Sequence, residues 1–340
     1  MRTPKAVAVL VLGAGLVLAG CGSDDDGSTA GGDVVVSGEF GDKPQITVPS
    51  DDASAELVVD VLSEGDGPEV AAGDLLVVNY LGQTWEPRPA GETTEDAPDD
   101  EATGDSDETA EGDATEEATE DAPAGDGEPA PFIFDNSYDR GEPAAFEIGV
   151  GMVIGGWDEG LVGQNVGSRV LLSIPPELGY GSMEGHDLAS DTLLFVIDII
   201  GTYNASMPIS GEPIDDLPGD MPSVSGEGAE EPTVDFPASA EPVGESTTDL
   251  LVAGDGAELG NSLVVKALEA SYDGETGYSS WSSDRVEVIT SDMVPGLAEA
   301  LDGQRVGSRV VSRIAPSDNP TEDNPEGEPI VIVLDIVGTF

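Results

Sequence analysis

One stretch of eight residues occurs almost unchanged twice in the chain, and this repeat limits the possible folds more than any other feature. Gly163 to Val170 returns as Gly303 to Val310 with a single difference. Asp198 to Tyr203 returns in closely similar form, and in the same order, as Asp335 to Phe340. Ordered matches at a nearly constant offset are typical of a duplicated unit. We therefore predict two copies of one domain, each with about 95 to 110 residues, which suffices for a modest core.

Short apolar and β-branched runs predict an antiparallel sheet in the first copy. Turn residues separate the runs, which are Leu57 to Leu62, Leu75 to Leu81, Arg169 to Ile174 and Leu193 to Ile200. Only one helical piece, Trp157 to Val162, interrupts them. This proportion predicts an α+β fold for each domain, a curled antiparallel sheet over one short helix.

Changes in composition set the domain boundaries. Residues 21–45 and 204–232 are acidic and rich in small and turn-forming residues, as in flexible connections. They predict an acidic tether before a first domain at 46–203, and an acidic linker before a second domain at 233–340.

The charge of the chain is strongly negative and unevenly spread. There are 70 acidic and 11 basic residues, a net charge of −59, and residues 86–131 alone hold eighteen of the acidic ones. This block has too few apolar side chains to offset its ordering entropy, so we predict a disordered insert at a hairpin tip between Trp85 and Phe132. The net charge excludes nucleic acid as a partner. The insert also lacks the fixed oxygen spacing of calcium loops, which argues against a metal site.

The N-terminus predicts export and a lipid anchor. Arg2 and Lys5 precede an apolar run, Ala6 to Ala19, that is too short to span a membrane comfortably. Small residues before Cys21, the only cysteine, resemble the lipobox of bacterial lipoproteins, in which the thiol is alkylated by diacylglycerol and the signal peptide is removed. Residues 1–20 are therefore the expected signal peptide, and the expected location is the extracytoplasmic face of the cell membrane. An ordinary signal peptide with a chance cysteine is the alternative.

Aromatic and polar residues of the first domain form a more specific pattern. Its pieces are Val77 to Tyr80, Phe134 to Gly141, Phe146, Val153 to Gly160, Leu178 to Gly181 and Thr192 to Phe195. In this order they resemble the ligand pocket of the FKBP family of peptidyl-prolyl cis/trans isomerases. The resemblance covers about Val58 to Tyr203 outside the insert, and it implies two FKBP-like domains, the second of them degenerate.

The resemblance also implies a dry, aromatic pocket with a polar rim. Trp157 would form the floor, and Asp135 would be a rim carboxylate oriented by Arg140. The Ile154 backbone N–H and the Tyr180 hydroxyl would donate hydrogen bonds to carbonyl groups of the substrate. The catalytic residues implied in this way are Tyr80, Phe134, Asp135, Arg140, Phe146, Val153, Ile154, Trp157, Tyr180 and Phe195.

Such a pocket needs no nucleophile, metal or cofactor. Amide resonance opposes rotation about an X-Pro bond with a barrier of roughly 18 to 20 kcal/mol. Twisting the bond breaks the resonance and makes the amide less polar, so an apolar site binds the twisted state better than water does. We expect a monomeric isomerase that assists the folding of exported, proline-containing polypeptides. The alternative is a non-catalytic chaperone or protein-interaction module.

Several positions depart from the family pattern. Ala144 stands where the family commonly has an aromatic residue, and residues 182–191 form a shorter loop in which Leu188 is a candidate apolar contact. His186, the only histidine, has no proton transfer to serve. Taken singly, Trp157, Phe146 and Phe195 could also be ordinary core. Tyr80 and Tyr180 could be surface aromatics, and Asp135 with Arg140 an exposed ion pair.

The second copy has lost the pattern. Alignment on the repeated stretch places Leu297 at the position of Trp157, and Ala267 at that of Tyr80. We therefore predict that the second domain is non-catalytic. The same alignment places Pro320 at the position of Tyr180, and Ser279 or Ser280 near those of Phe134 and Asp135.

Overall fold

The structure is a computed structural model that describes residues 34–88, 130–237, 241–272, 275–320 and 324–340. The predicted signal peptide, Cys21 and nearly all of the acidic insert lie outside these residues. Within the part that is described, no helix is long and apolar enough to cross a membrane.

The first sheet is antiparallel and contains six strands. Its strands are β3 (Val58–Ser63), β4 (Leu75–Arg88), β5 (Ala130–Asn136), β6 (Ala144–Glu147), β7 (Arg169–Ile174) and β8 (Leu193–Tyr203), after a separate hairpin of β1 (Val35–Ser37) and β2 (Gln45–Thr47). The order across the sheet is β3-β7-β8-β4-β5, and β6 pairs with the start of β4 on the edge opposite β8. The two helices are α1 (Ser137–Arg140) and α2 (Gly155–Leu161).

The four strand runs and the single longer helix expected from the sequence are present in this unit. β4 continues past the expected end at Leu81 to Arg88, which pairs with Ala130 of β5, so both ends of the expected disordered insert are strand. The acidic insert therefore joins two paired strands, as the hairpin prediction requires. Trp157 and Leu161 of α2 are buried in the core on one face of the sheet.

A second antiparallel sheet follows with the same internal order. Its strands are β9 (Gly211–Pro213), β12 (Thr247–Gly254), β13 (Ser262–Ser271), β14 (Thr276–Ser279), β15 (Glu287–Thr290), β16 (Arg309–Ile314) and β17 (Ile330–Thr339), after a hairpin of β10 (Ser223–Ser225) and β11 (Thr233–Asp235). The order is β14-β13-β17-β16-β12-β9, with β15 on β13. The helices are α3 (Ser280–Ser283) and α4 (Leu297–Ala300). Apart from β9, each strand matches one of the first sheet.

The tether and linker boundaries drawn from composition also differ from the structure. The β1–β2 hairpin begins inside the expected tether, and β9 and β10 lie inside the expected linker. The reason is that both faces of each sheet are apolar. The β1–β2 hairpin covers an outer cluster that includes Leu171, Leu194 and Val196. The β10–β11 hairpin packs in the same way on the outer face of the second sheet.

The repeated sequence motifs meet as buried ion pairs. Arg169 Nε donates to Asp198 Oδ1 over 2.6 Å, and both side chains are at most 3% exposed. Arg309 Nε donates to Asp335 Oδ1 over 2.5 Å in the second unit. The two motifs therefore recur together because each pair consists of one residue from each motif.

The two units contact each other directly. The Tyr203 hydroxyl at the end of β8 donates to the Thr339 carbonyl over 3.1 Å. Lys266 is completely buried in the second sheet, and its ammonium donates to the Met207 carbonyl over 2.8 Å. The segment that leaves the first sheet is therefore fastened to the second one.

Candidate active site

Trp157 lies on α2, which approaches the sheet very closely. A Cβ atom at Gly156 would come within 2.5 Å of the Ile174 side chain on β7, so only glycine permits this approach. This close approach buries the indole against the sheet, and Trp157 is 4% exposed. Its indole N–H is buried and has no hydrogen-bond partner among the residues that the structure describes.

Aromatic rings surround the indole in edge-to-face contacts. The ring centroids of Tyr80, Phe146 and Phe195 lie 5.2 to 5.3 Å from that of Trp157. Phe134 extends the group by an edge contact with Phe195 at 5.5 Å. Each such contact is worth about 0.5 to 1.5 kcal/mol beyond area burial. These five side chains form what we call the aromatic cage.

The polar rim of the cage is a closed group of three side chains. The Tyr80 hydroxyl donates a short hydrogen bond to Asp135, and Arg140 forms a short ion pair with the same carboxylate. Arg140 also donates to the Tyr80 hydroxyl over 3.0 Å. Burial first, and then the bond to Asp135, raise the pKa of Tyr80 well above its ordinary value. The phenol therefore stays protonated at neutral pH.

A single helical turn places Arg140 at this rim. Helix α1 begins after Asn136, whose side chain accepts from the Asp139 backbone N–H, and ends at Gly141, whose φ of 77° favours glycine. The Ser137 hydroxyl accepts from the Tyr80 backbone N–H over 2.9 Å. The turn is thus fastened to the strand that carries the tyrosine.

Asp158 organises the loop before α2, a role that the sequence analysis missed. Its carboxylate accepts from the Gly149 N–H over 2.6 Å and from the Gly151 N–H over 2.8 Å. Both glycines have positive φ, so their spacing before the Trp-Asp pair was the available signal. The loop leads into Val153 and Ile154, which pack on the cage.

Two of the predicted donors are free to meet a ligand. No acceptor for the Ile154 backbone N–H, and no partner for the Tyr180 hydroxyl, occurs among the described residues. Tyr180 stacks on His186 with a centroid distance of 4.1 Å, so the histidine supports the rim. Leu188 is buried in the same core as Trp157, and its contact with substrate stays a prediction.

All ten residues expected at the site therefore lie in one region. Eight of them belong to the core cluster or pack directly against it, and the other two are the rim pair Asp135 and Arg140. The additional members are Asp158 and His186. The catalytic roles themselves stay a prediction.

Strand register corrects two positions that the alignment gave for the second unit. Ala267 pairs with Leu334 as Tyr80 pairs with Ile197, in agreement with the alignment. The Ser280 hydroxyl accepts from the Ala267 N–H over 2.9 Å, as the first-unit serine does from Tyr80. The counterparts of Phe134 and Asp135 are therefore Gly277 and Tyr278 rather than Ser279 or Ser280.

Comparison with known proteins points to the same region. Residues 131–200 match the family model described as FKBP-type peptidyl-prolyl cis-trans isomerase. The chain is 30% identical to the FK506-binding protein of Streptomyces anulatus over 47% of this chain and 96% of that protein. It is 31% identical to the probable FK506-binding protein of Corynebacterium glutamicum over 47% of this chain and 98% of that protein. Among solved structures, FkpA from Escherichia coli is similar at 28% identity, over 44% of this chain and 50% of that one, with a TM-score of 0.28.

The matched family segment contains nine of the ten predicted pocket residues, all except Tyr80 of β4. The alignments span almost the whole length of the two bacterial relatives but only about half of this chain. This chain therefore belongs to the FKBP-type peptidyl-prolyl cis-trans isomerases and is an enzyme of that class.

Proposed function

We propose that the first unit isomerises X-Pro bonds in exported polypeptides, and that the aromatic cage is where it does so. The observation that carries the proposal is the enclosure of Trp157 by Tyr80, Phe146 and Phe195, each in edge contact with the indole. A proline ring seated on this surface leaves water, which favours the less polar, twisted amide.

The polar groups fit two different tasks. The Ile154 N–H and the Tyr180 hydroxyl are available to hold substrate carbonyls and so to orient the chain. The group of Tyr80, Asp135 and Arg140 is already satisfied internally. Because rotation transfers no proton, this group shapes and rigidifies the rim rather than acting as an acid or base.

Substrate preference tests the proposal. We expect the mature protein to isomerise a peptide with leucine before proline about tenfold faster than one with glutamate, because the cage is apolar and the chain has a net charge of −59. The measurement is a protease-free assay of kcat/KM across a series that varies this residue. Equal rates for the two peptides, or no acceleration over solvent, would contradict the proposal.

The location of the enzyme is a separate proposal, supported by the signal-like N-terminus and the single cysteine. Cys21 would carry diacylglycerol and a further acyl chain such as palmitate, and two or three chains anchor stably where one does not. We expect Cys21→Ala to leave the protein unprocessed or released, as measured by detergent phase partitioning and by the mass of the N-terminus. A correctly processed Cys21→Ala protein that stays in the detergent phase would refute the anchor.

The second unit is proposed to be a non-catalytic FKBP-like domain. Leu297 and Ala267 are both buried at the positions of Trp157 and Tyr80, so the scaffold is retained without an aromatic floor. Such a domain would serve as a spacer or as a surface that binds polypeptide segments. A chaperone or interaction role for the whole chain is the second candidate, and the peptide assay separates it from catalysis.

A further inference from the structure

The buried pair of Arg169 and Asp198 depends on the N-terminal hairpin. Removing two charges from water is costly unless their remaining donors and acceptors are also satisfied. The guanidinium donates to the carbonyls of Gly38 and Asp42, each over 2.7 Å. The Gly41 backbone N–H donates in turn to Asp198 over 2.6 Å. The turn between β1 and β2 therefore completes the bonding of the pair.

The same carboxylate also holds helix α1. The Tyr138 hydroxyl donates to Asp198 Oδ2 over 2.9 Å. Burial and this carboxylate together raise the pKa of Tyr138 above its ordinary value, so the donor stays protonated. A second link comes from the hairpin itself, because Lys43 Nζ contacts the two oxygens of Asp139 at 2.6 and 2.7 Å. Two successive residues of α1 are thus fastened, Tyr138 to the buried pair and Asp139 to the hairpin.

The next residue of the helix is Arg140, which contacts Asp135 and Tyr80 at the rim of the cage. The helix is a single turn, so a shift of Tyr138 or Asp139 moves the arginine with it. We propose that the hairpin and the buried ion pair position Arg140, through Tyr138 and Asp139, and so hold the rim in its working geometry. Tyr138 and Lys43 are then positioning residues for the isomerase. This inference rests on the proposed site.

The main test replaces Tyr138 by phenylalanine, which keeps the ring and removes the hydroxyl. We expect kcat/KM to fall about three- to tenfold, as for the loss of one hydrogen bond. Lys43→Met should cause a smaller loss of about twofold or less, because its ion pair is exposed. Tyr203→Phe is the matched control. It removes the hydrogen bond that the Tyr203 hydroxyl donates at the contact between the units, and it should leave kcat/KM unchanged.

A double-mutant cycle separates positioning from general stability. If Tyr138 acts through Arg140, then Tyr138→Phe should change kcat/KM less than twofold in an Arg140→Leu background. An equal fold reduction in kcat/KM in the parent and in the Arg140→Leu background would overturn the proposal. An unchanged kcat/KM for Tyr138→Phe alone would also overturn it.

A readout independent of catalysis is the exchange of two matched backbone amides. Tyr80 donates to Ser137 of α1, and Ala267 donates to Ser280 of α3 in the second unit. Tyr138→Phe should speed hydrogen exchange about tenfold at Tyr80 and leave Ala267 unchanged. Equal exchange at Tyr80 in the parent and the variant would overturn the proposal even if the isomerase activity were absent. An inactive parent chain would instead contradict the proposed function.

Discussion

Replacing Trp157 by leucine should lower kcat/KM by about 10- to 100-fold while the protein stays folded. The change removes three edge contacts with Tyr80, Phe146 and Phe195, and with them the floor of the cage. Leucine is the chosen substitute because Leu297 occupies the same place on α4, where it is fully buried. The measurement is the protease-free assay on the full mature chain, with circular dichroism to verify folding.

The matched control is Leu297→Val, a loss of volume at the equivalent position of the second unit. It should lower the thermal stability slightly and leave kcat/KM unchanged. A Trp157→Leu protein that isomerises at the parental rate would show that the cage is not the catalytic site. Residual catalysis that a further Leu297 change abolishes would show that the second unit is active after all.

Replacing Asp198 by alanine should lower the free energy of unfolding of the first unit by about 3 to 5 kcal/mol. The change leaves the Arg169 guanidinium buried without its counter-charge, and it also removes the acceptor for Gly41 and Tyr138. Isomerase activity should fall with the loss of the folded first unit. Urea unfolding, followed by circular dichroism and by activity, measures both effects.

Asp335→Ala is the matched variant of the second unit, since Asp335 bonds both Nε and Nη2 of Arg309. It should cost a similar free energy of unfolding there, because the pair is equally buried. Its activity, however, should stay near the parental value. A loss of activity as large as that of Asp198→Ala would mean that the second unit supports catalysis, against the proposed division of labour.

The main elements of the first sheet could be predicted because their signals are local. β7 begins and ends where its apolar run does, and α2 starts within two residues of the expected helix. The pocket residues were identified from pieces of one to eight residues, which can be recognised whatever sequence surrounds them. The separation of these motifs by the acidic insert did not matter, because β4 and β5 pair across it.

The hairpins were missed because their strands have only three residues each. Glycine and acidic residues around them are typical of a flexible tether, and a three-residue strand has no measurable period. A signal was nevertheless present in Leu193 to Ile200, which is apolar at nearly every position. Such a run predicts a strand that is buried on both faces, and so requires a cover on the outer one.

The sequence by itself determined the duplication, the class of fold and the residues that line the cage. Each of these follows from patterns within a few neighbouring residues, or from their repetition. Only the tertiary structure decided that Tyr278 is the second unit's counterpart of Asp135, that Asp158 organises a loop, and that the N-terminal hairpin reaches Asp198. These features depend on strand register and on how the layers of the fold pack together. No pattern of neighbouring residues in the sequence encodes either of them.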